Sequence, residues 1–333
     1  MRTSILAAAL AAFSLTACAT ETESESWLGT TEQNLDLPEF EPLPGNITEG
    51  EPYVTIRLTC LDTECWRSRV EIVGTPYDDI VVLTEINQMP TLMIAVRNPA
   101  TGETVAAQWM HCGDTNVFPC TSPAGPHIVD EMVISLGDGD DTFYTGEPMT
   151  YSMDSYWDLP EGWLEVYGGA GADVIEGAGY AEGGSGDDTL IASSLDSYLY
   201  GGPGADTLVG GAGRDWLVGG TGDDEINGGA NEDTLEGGDG DDTLNGGGGD
   251  DVMYGNAGSD TMHGNGGKDV MYGGTSADTM YGDAGNDTMR GGDGGDFLYG
   301  GDGKDTLHGE GGNDTLDGGA DSDTCSGEHK SHC

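Results

Sequence analysis

Aspartate recurs at every ninth residue over a long stretch of this chain. The series is Asp206, Asp215, Asp224, Asp233, Asp242, Asp251, Asp260, Asp269, Asp278, Asp287, Asp296, Asp305, Asp314 and Asp323. Such a series offers oxygen ligands and nothing softer. Ca²⁺ favours carboxylate and carbonyl oxygens carried on turns that can adjust to it. If the chain coils so that each aspartate lies beside those of the turns above and below, bare carboxylates repel one another. A divalent cation between them removes that conflict.

The element that must position these carboxylates is a nine-residue unit. Gly201 to Ser326 divides into fourteen such units without insertion or deletion, beginning Gly201-Gly202-Pro203-Gly204-Ala205-Asp206-Thr207-Leu208-Val209. Position one is Gly and position six is Asp in every unit. Position eight is apolar throughout, from Leu208 through Met253 to Cys325. The first six residues are rich in Gly and end in Asp, which suits a turn with positive-φ positions. The last three alternate about one apolar residue, which suits a very short strand with a single inward side chain. No unit can bury anything alone, so units must stack. The register extends upstream through a degenerate unit, Ala192 to Tyr200, and a regular one, Gly183 to Ile191, with Asp188 at position six. A six-residue slip precedes a further unit, Gly168 to Glu176, with Asp173. A disordered Gly/Asp linker would have no reason to hold an apolar residue in phase at position eight.

The stretch resembles the Gly-Gly-x-Gly-x-Asp-x-U-x repeat of RTX proteins, in which U is apolar. The resemblance implies an all-β fold: a right-handed parallel β-roll, or β-solenoid, over residues 168–326, with two units per turn and Ca²⁺ between successive turns. It also implies the ligands, namely the carboxylates of Asp173, Asp188 and the fourteen aspartates from Asp206 to Asp323, with backbone carbonyls of the six-residue turns. Asn231, Ser276 and Asp321 at position four, and Asn256 and Glu310 at position two, depart from the pattern. These departures bear on individual sites rather than on the architecture.

Charge points the same way. The formal net charge is −51 on 333 residues. Nucleic acid and anionic membrane surfaces are therefore poor partners, and cations are natural ones. Within Gly201 to Ser326, 27 acids face only Arg214, Lys268, Arg290 and Lys304. Without Ca²⁺ the repeats are expected to be unfolded, and ion binding is their folding step. Gly267-Lys268 is followed by Asp269, not Ser or Thr, so the phosphate-loop pattern is absent.

Ahead of the repeats, residues 1–17 read as an export signal: Arg2, then a short apolar run from Ile5 to Leu15. Leu15-Thr16-Ala17-Cys18 resembles the lipobox of bacterial lipoproteins, which implies lipid modification of Cys18, membrane attachment through that anchor, and an outer-membrane or cell-surface location. Residues 18–52, acidic and interrupted by prolines, read as a disordered tether. Residues 53–166 hold short β-like runs and two repeat-like segments, Gly74 to Val82 and Gly137 to Tyr144. They are expected to be an irregular β-solenoid start that grades into the roll, with a separate small β-sandwich as the alternative. Residues 327–333 form a C-terminal tail or cap. Besides Cys18 there are six cysteines, and sequence proximity favours the pairs Cys60–Cys65, Cys112–Cys120 and Cys325–Cys333 in an exported chain.

No His-Glu-x-x-His or Gly-x-Ser-x-Gly motif occurs. The repeat acids are expected to be ligands and their neighbours rather than catalysts, and no catalytic residue is assigned. The leading expectation is a lipid-anchored calcium-binding structural or adhesive surface protein. The rivals are an accessory repeat protein of a polysaccharide-modifying or other secreted enzyme, and an adhesin or toxin-like factor. The sequence names no polysaccharide or cell-surface ligand.

Overall fold

A computed structural model describes residues 133–143, 164–192 and 196–333 with their side chains, and the backbones of several strands upstream. Among the described residues every regular element is a strand. Successive units are dealt alternately to two parallel sheets. Trp216–Thr221 pairs with Thr234–Asp239 in one sheet, and Glu225–Ala230 pairs with Thr243–Gly248 in the other. Each sheet has fourteen strands among the described residues, and one turn of the coil is two units, or 18 residues. The described repeats thus form a parallel β-solenoid, and residues 168–326 form a β-roll.

The strands are longer than the repeat pattern suggests. The sequence alone predicts strand only at positions seven to nine. Trp216–Thr221 and its counterparts run six residues, into positions one to three of the next unit. The turn is reduced to positions four to six. Glycine at positions one and two does not end the strand, because a parallel neighbour in exact register (Gly220 on Gly238, for example) holds its backbone. Along these six residues, positions eight and one face inward and are buried, while positions seven and nine line the outer face.

Two columns of position-eight side chains, one from each sheet, fill the interior. Every member from Leu190 to Leu316 is fully buried. Met253, Met271 and Met289 continue one Leu/Ile column and Met262 and Met280 the other, as an unbranched thioether can where the available volume varies. On the outer faces, like residues stack at the strand spacing. Tyr254 and Tyr272 stack with centroids 5.1 Å apart, and Tyr281 and Tyr299 at 5.0 Å.

The six-residue slip is one shortened edge. Val174–Ala178 passes to Tyr180–Ser185 through Gly179 alone, so that turn of the coil takes 15 residues rather than 18. Upstream, parallel stacking continues: Leu164–Ala170 lies on Ile128–Asp138, which pairs with Arg67–Val73. In the second sheet Val174–Ala178 lies on Thr142–Thr145, which pairs with Asp79–Ile86. Beyond these the pairing turns antiparallel. Thr55–Cys60 and Glu32–Asn34 extend one sheet, and Met89–Arg97 and Thr104–His111 the other. At the opposite end the last strands are Thr324–Ser326 and His329–Ser331, and a disulfide joins Cys325 to Cys333 with Cα atoms 5.7 Å apart.

The signal-like segment with Cys18 lies outside the described residues, as does the tether 18–52 apart from the strand Glu32–Asn34. Cys65, Cys112 and Cys120 are also outside them, as is the side chain of Cys60.

Candidate metal centre

Each position-six aspartate is fixed by the strand that follows it and the turn that precedes it. Its carbonyl accepts the N–H of position seven one turn on, as Asp206 O does from Glu225 N at 2.8 Å. Its own N–H donates to the carboxylate of the next aspartate in the column, as Asp206 N does to Asp224 Oδ1 at 2.8 Å. These bonds chain the aspartates into two columns, one along each edge of the roll. The first runs Asp141, Asp173, Asp188, Asp206, Asp224, Asp242, Asp260, Asp278, Asp296, Asp314. The second runs Ser197, Asp215, Asp233, Asp251, Asp269, Asp287, Asp305, Asp323.

All sixteen aspartates singled out in the sequence therefore stand in these columns. Sequence reasoning missed two rungs. Asp141 heads the first column, and the segment Gly137 to Tyr144 did carry the signal, though residues 145–163 separate it from the regular repeat. Ser197 takes the Asp position of the degenerate unit 192–200, and its N–H still donates to Asp215 Oδ1 at 2.8 Å.

One carboxylate oxygen is thus used at each of the sixteen aspartates from Asp173 to Asp323. The other is not. From Asp173 to Asp323, Oδ2 of all sixteen aspartates is buried and has no hydrogen-bond partner. A single buried polar atom left unpaired costs about 1–3 kcal/mol, so a repeating set of sixteen calls for a ligand common to all. Position-one glycine shows where that ligand fits. A Cβ placed on Gly219 would meet Asp224 Oδ2 and lie 2.7 Å from Gly237 O of the next turn. Gly201 faces Asp206 Oδ2 and Gly219 O in the same way, and Gly291 faces Asp296 Oδ2 and Gly309 O. A carboxylate oxygen and a backbone carbonyl oxygen thus converge at position one on successive turns. Only glycine leaves that space open.

Electrostatics agree with the geometry. Burial pushes Asp188, Asp224, Asp233, Asp278 and Asp287 up to about 7, and Asp173, Asp242, Asp260 and Asp269 up to about 6. The N–H donated by the preceding rung pulls each the other way, and neighbouring carboxylates push it further up. Charged, these groups need a cation beside them.

Among the described residues, no three His, Cys, Asp or Glu side chains converge on one point. A metal held here must draw much of its ligand shell from backbone carbonyls. That suits a hard ion with six to eight oxygen ligands and does not suit zinc, which takes His and Cys. The residues present therefore fit calcium.

The departures from the repeat pattern keep its backbone. Asn231, Ser276 and Asp321 hold position four at φ 76°, 86° and 75°, and Asn256 and Glu310 hold position two at 77° and 66°. Asn265 and Asp283 do so too, at 63° and 67°. At position five, Asp187, Asp223, Asp241 and Asp250 accept an N–H from the next turn on the exposed rim. The paired acids of the sequence thus divide their roles: the first ties turns together at the surface, and the second carries the unpaired buried oxygen.

A family model described as the RTX calcium-binding nonapeptide repeat (4 copies) matches overlapping stretches at residues 165–179, 182–217, 200–235, 209–244, 228–262, 254–289, 263–298 and 290–325. No curated protein matches the chain.

Proposed function

We propose that this protein, a member of the RTX calcium-binding nonapeptide repeat family through its residues 165–325, is an exported structural protein whose roll is assembled by calcium and displayed from a lipid anchor at Cys18. The observation that carries the calcium part is the set of sixteen buried Oδ2 atoms, each without a hydrogen-bond partner. Asp173, Asp188 and the fourteen aspartates from Asp206 to Asp323 hold the ions, with position-one glycine carbonyls of the neighbouring turn. The bound ion neutralises the column and ties one turn to the next. Glycine excludes a side chain from the cradle, and the position-eight columns exclude water from the interior between the two edges.

The anchor reading rests on the sequence of residues 1–18, and the acidic, proline-broken segment after it supports a tether. The role is binding and structural rather than catalytic: the repeat acids are committed to turn-to-turn bonds and to the cradles. A structural or adhesive surface protein that folds on calcium would be inert where calcium is scarce and assembled outside the cell.

Equilibrium dialysis of the metal-free protein against Ca²⁺ tests this. Uptake of many ions per chain is expected, with affinities on the order of 10⁻⁴ to 10⁻³ M as in extracellular modules. Mg²⁺ at the same concentration should not replace it, because that ion demands a rigid octahedral shell. Uptake of no calcium, or equal uptake of magnesium, contradicts the reading.

A further inference from the structure

The cradle at each position-one glycine needs a carbonyl from the turn above. At Gly300 the two oxygens are Asp305 Oδ2 and Gly318 O. Gly318 has Asp323 Oδ2 in the same place, but here the carbonyl is His332 O, as close to a Cβ placed on Gly318 as Gly318 O is to one placed on Gly300. The tail 327–333 thus does what a glycine turn does elsewhere, although Gly327-Glu328-His329-Lys330-Ser331-His332-Cys333 shares almost nothing with the repeat.

Several contacts bring that carbonyl into position. His329–Ser331 pairs in parallel with Thr315–Asp317, continuing one sheet. His332 then takes φ +48° and sets its Nδ1 2.7 Å from Asp317 Oδ1. The next residue, Cys333, is bonded to Cys325, which fills position eight of the last unit. Asp323 Oδ1 accepts Asp305 N–H at 2.9 Å, while Asp323 Oδ2 is buried without a hydrogen-bond partner.

We infer that the disulfide-closed tail completes the last divalent-cation site of the roll, at Asp323, with the main-chain carbonyl of His332 in the place a glycine carbonyl takes elsewhere, so that this site is filled only when Cys325 and Cys333 are joined. The inference rests on the calcium reading above. A carbonyl on an unrestrained tail must be ordered before it can bind, at a cost in backbone entropy for every residue fixed. The bond between residues eight apart removes much of that cost beforehand.

Native mass spectrometry of the calcium-saturated full chain, with amide hydrogen exchange alongside, tests the inference. A Cys325→Leu/Cys333→Ser double variant frees the tail while keeping an apolar side chain at position eight. It should hold one calcium ion fewer per chain than the parent. Amides of residues 318–333 should exchange about tenfold faster at calcium ten times above Kd. Glu328→Ala, an exposed position in the same tail and outside the cradle, should keep the parent's ion count. An unchanged ion count and unchanged protection in the double variant overturn the inference, as does an equal loss in Glu328→Ala, which would mean that any change in the tail removes the ion. In both cases calcium elsewhere in the roll stays bound, so the calcium reading survives. A chain that takes up no calcium in any form overturns both.

Discussion

Positions six and eight recur with the same period, and both are buried, yet they are opposites. The position-eight columns, from Leu190 to Leu316, are apolar and need nothing beyond their neighbours. The position-six columns are equally enclosed but carry one unpaired carboxylate oxygen at each rung from Asp173 to Asp323. The apolar columns make coiling worthwhile, and the aspartate columns make it conditional. Hydrophobic burial responds weakly to ions, whereas a buried carboxylate needs either a proton or a cation beside it. One repeat therefore encodes both a core and a switch for that core, two residues apart along the unit.

Substitutions in the two columns should separate these roles. The largest effect belongs to the core. Leu244→Ala removes a fully buried side chain and should lower stability by about 2–5 kcal/mol. Calcium-saturated denaturant unfolding should show this with the ion count unchanged. A changed count would mean that the two columns are not separable. Asp224→Asn should act with opposite signs. The amide still accepts Asp206 N–H, but it places an N–H where Oδ2 faces Gly237 O. In calcium the variant should lose an ion and stability. In chelator, where the unfolded form is favoured, the substitution should shift the balance toward the folded form by on the order of 1 kcal/mol, because a buried charge has become a hydrogen-bond donor. A loss of stability in both conditions would mean that the carboxylate serves packing rather than metal. Smallest is Ser276→Gly, which relieves a side chain held at φ 86°. It should raise the thermal midpoint in calcium by the equivalent of about 0.5–1 kcal/mol. A fall would place Ser276 in an interaction beyond its backbone.

Much of this is legible in the repeat alone. Phase alone identified the sixteen aspartates and the apolar columns, because stacked units repeat their environment and each position must suit all its copies. Strand length was less legible. Gly-Gly reads as a turn locally, and only pairing with an identical neighbour holds positions one to three extended. Asp141 was hidden by the 18 residues between Thr145 and Leu164, since register is counted along the chain whereas stacking is set in space. The His332 carbonyl had no signal at all: a backbone oxygen is common to every residue, and only its place over Gly318 distinguishes it. The departures at Asn256 and Glu310 leave the backbone of the repeat in place, because side chains can adopt the left-handed region at a modest cost when the turns on either side impose it.

The most direct measurement is small-angle scattering with far-ultraviolet circular dichroism, following the purified chain from chelator through rising calcium at fixed ionic strength. An expanded chain with little strand signal is expected in chelator, collapsing steeply to a compact, strand-rich form as calcium is added. The same radius and the same strand signal in chelator and in saturating calcium would contradict a roll built on ion-bridged aspartates.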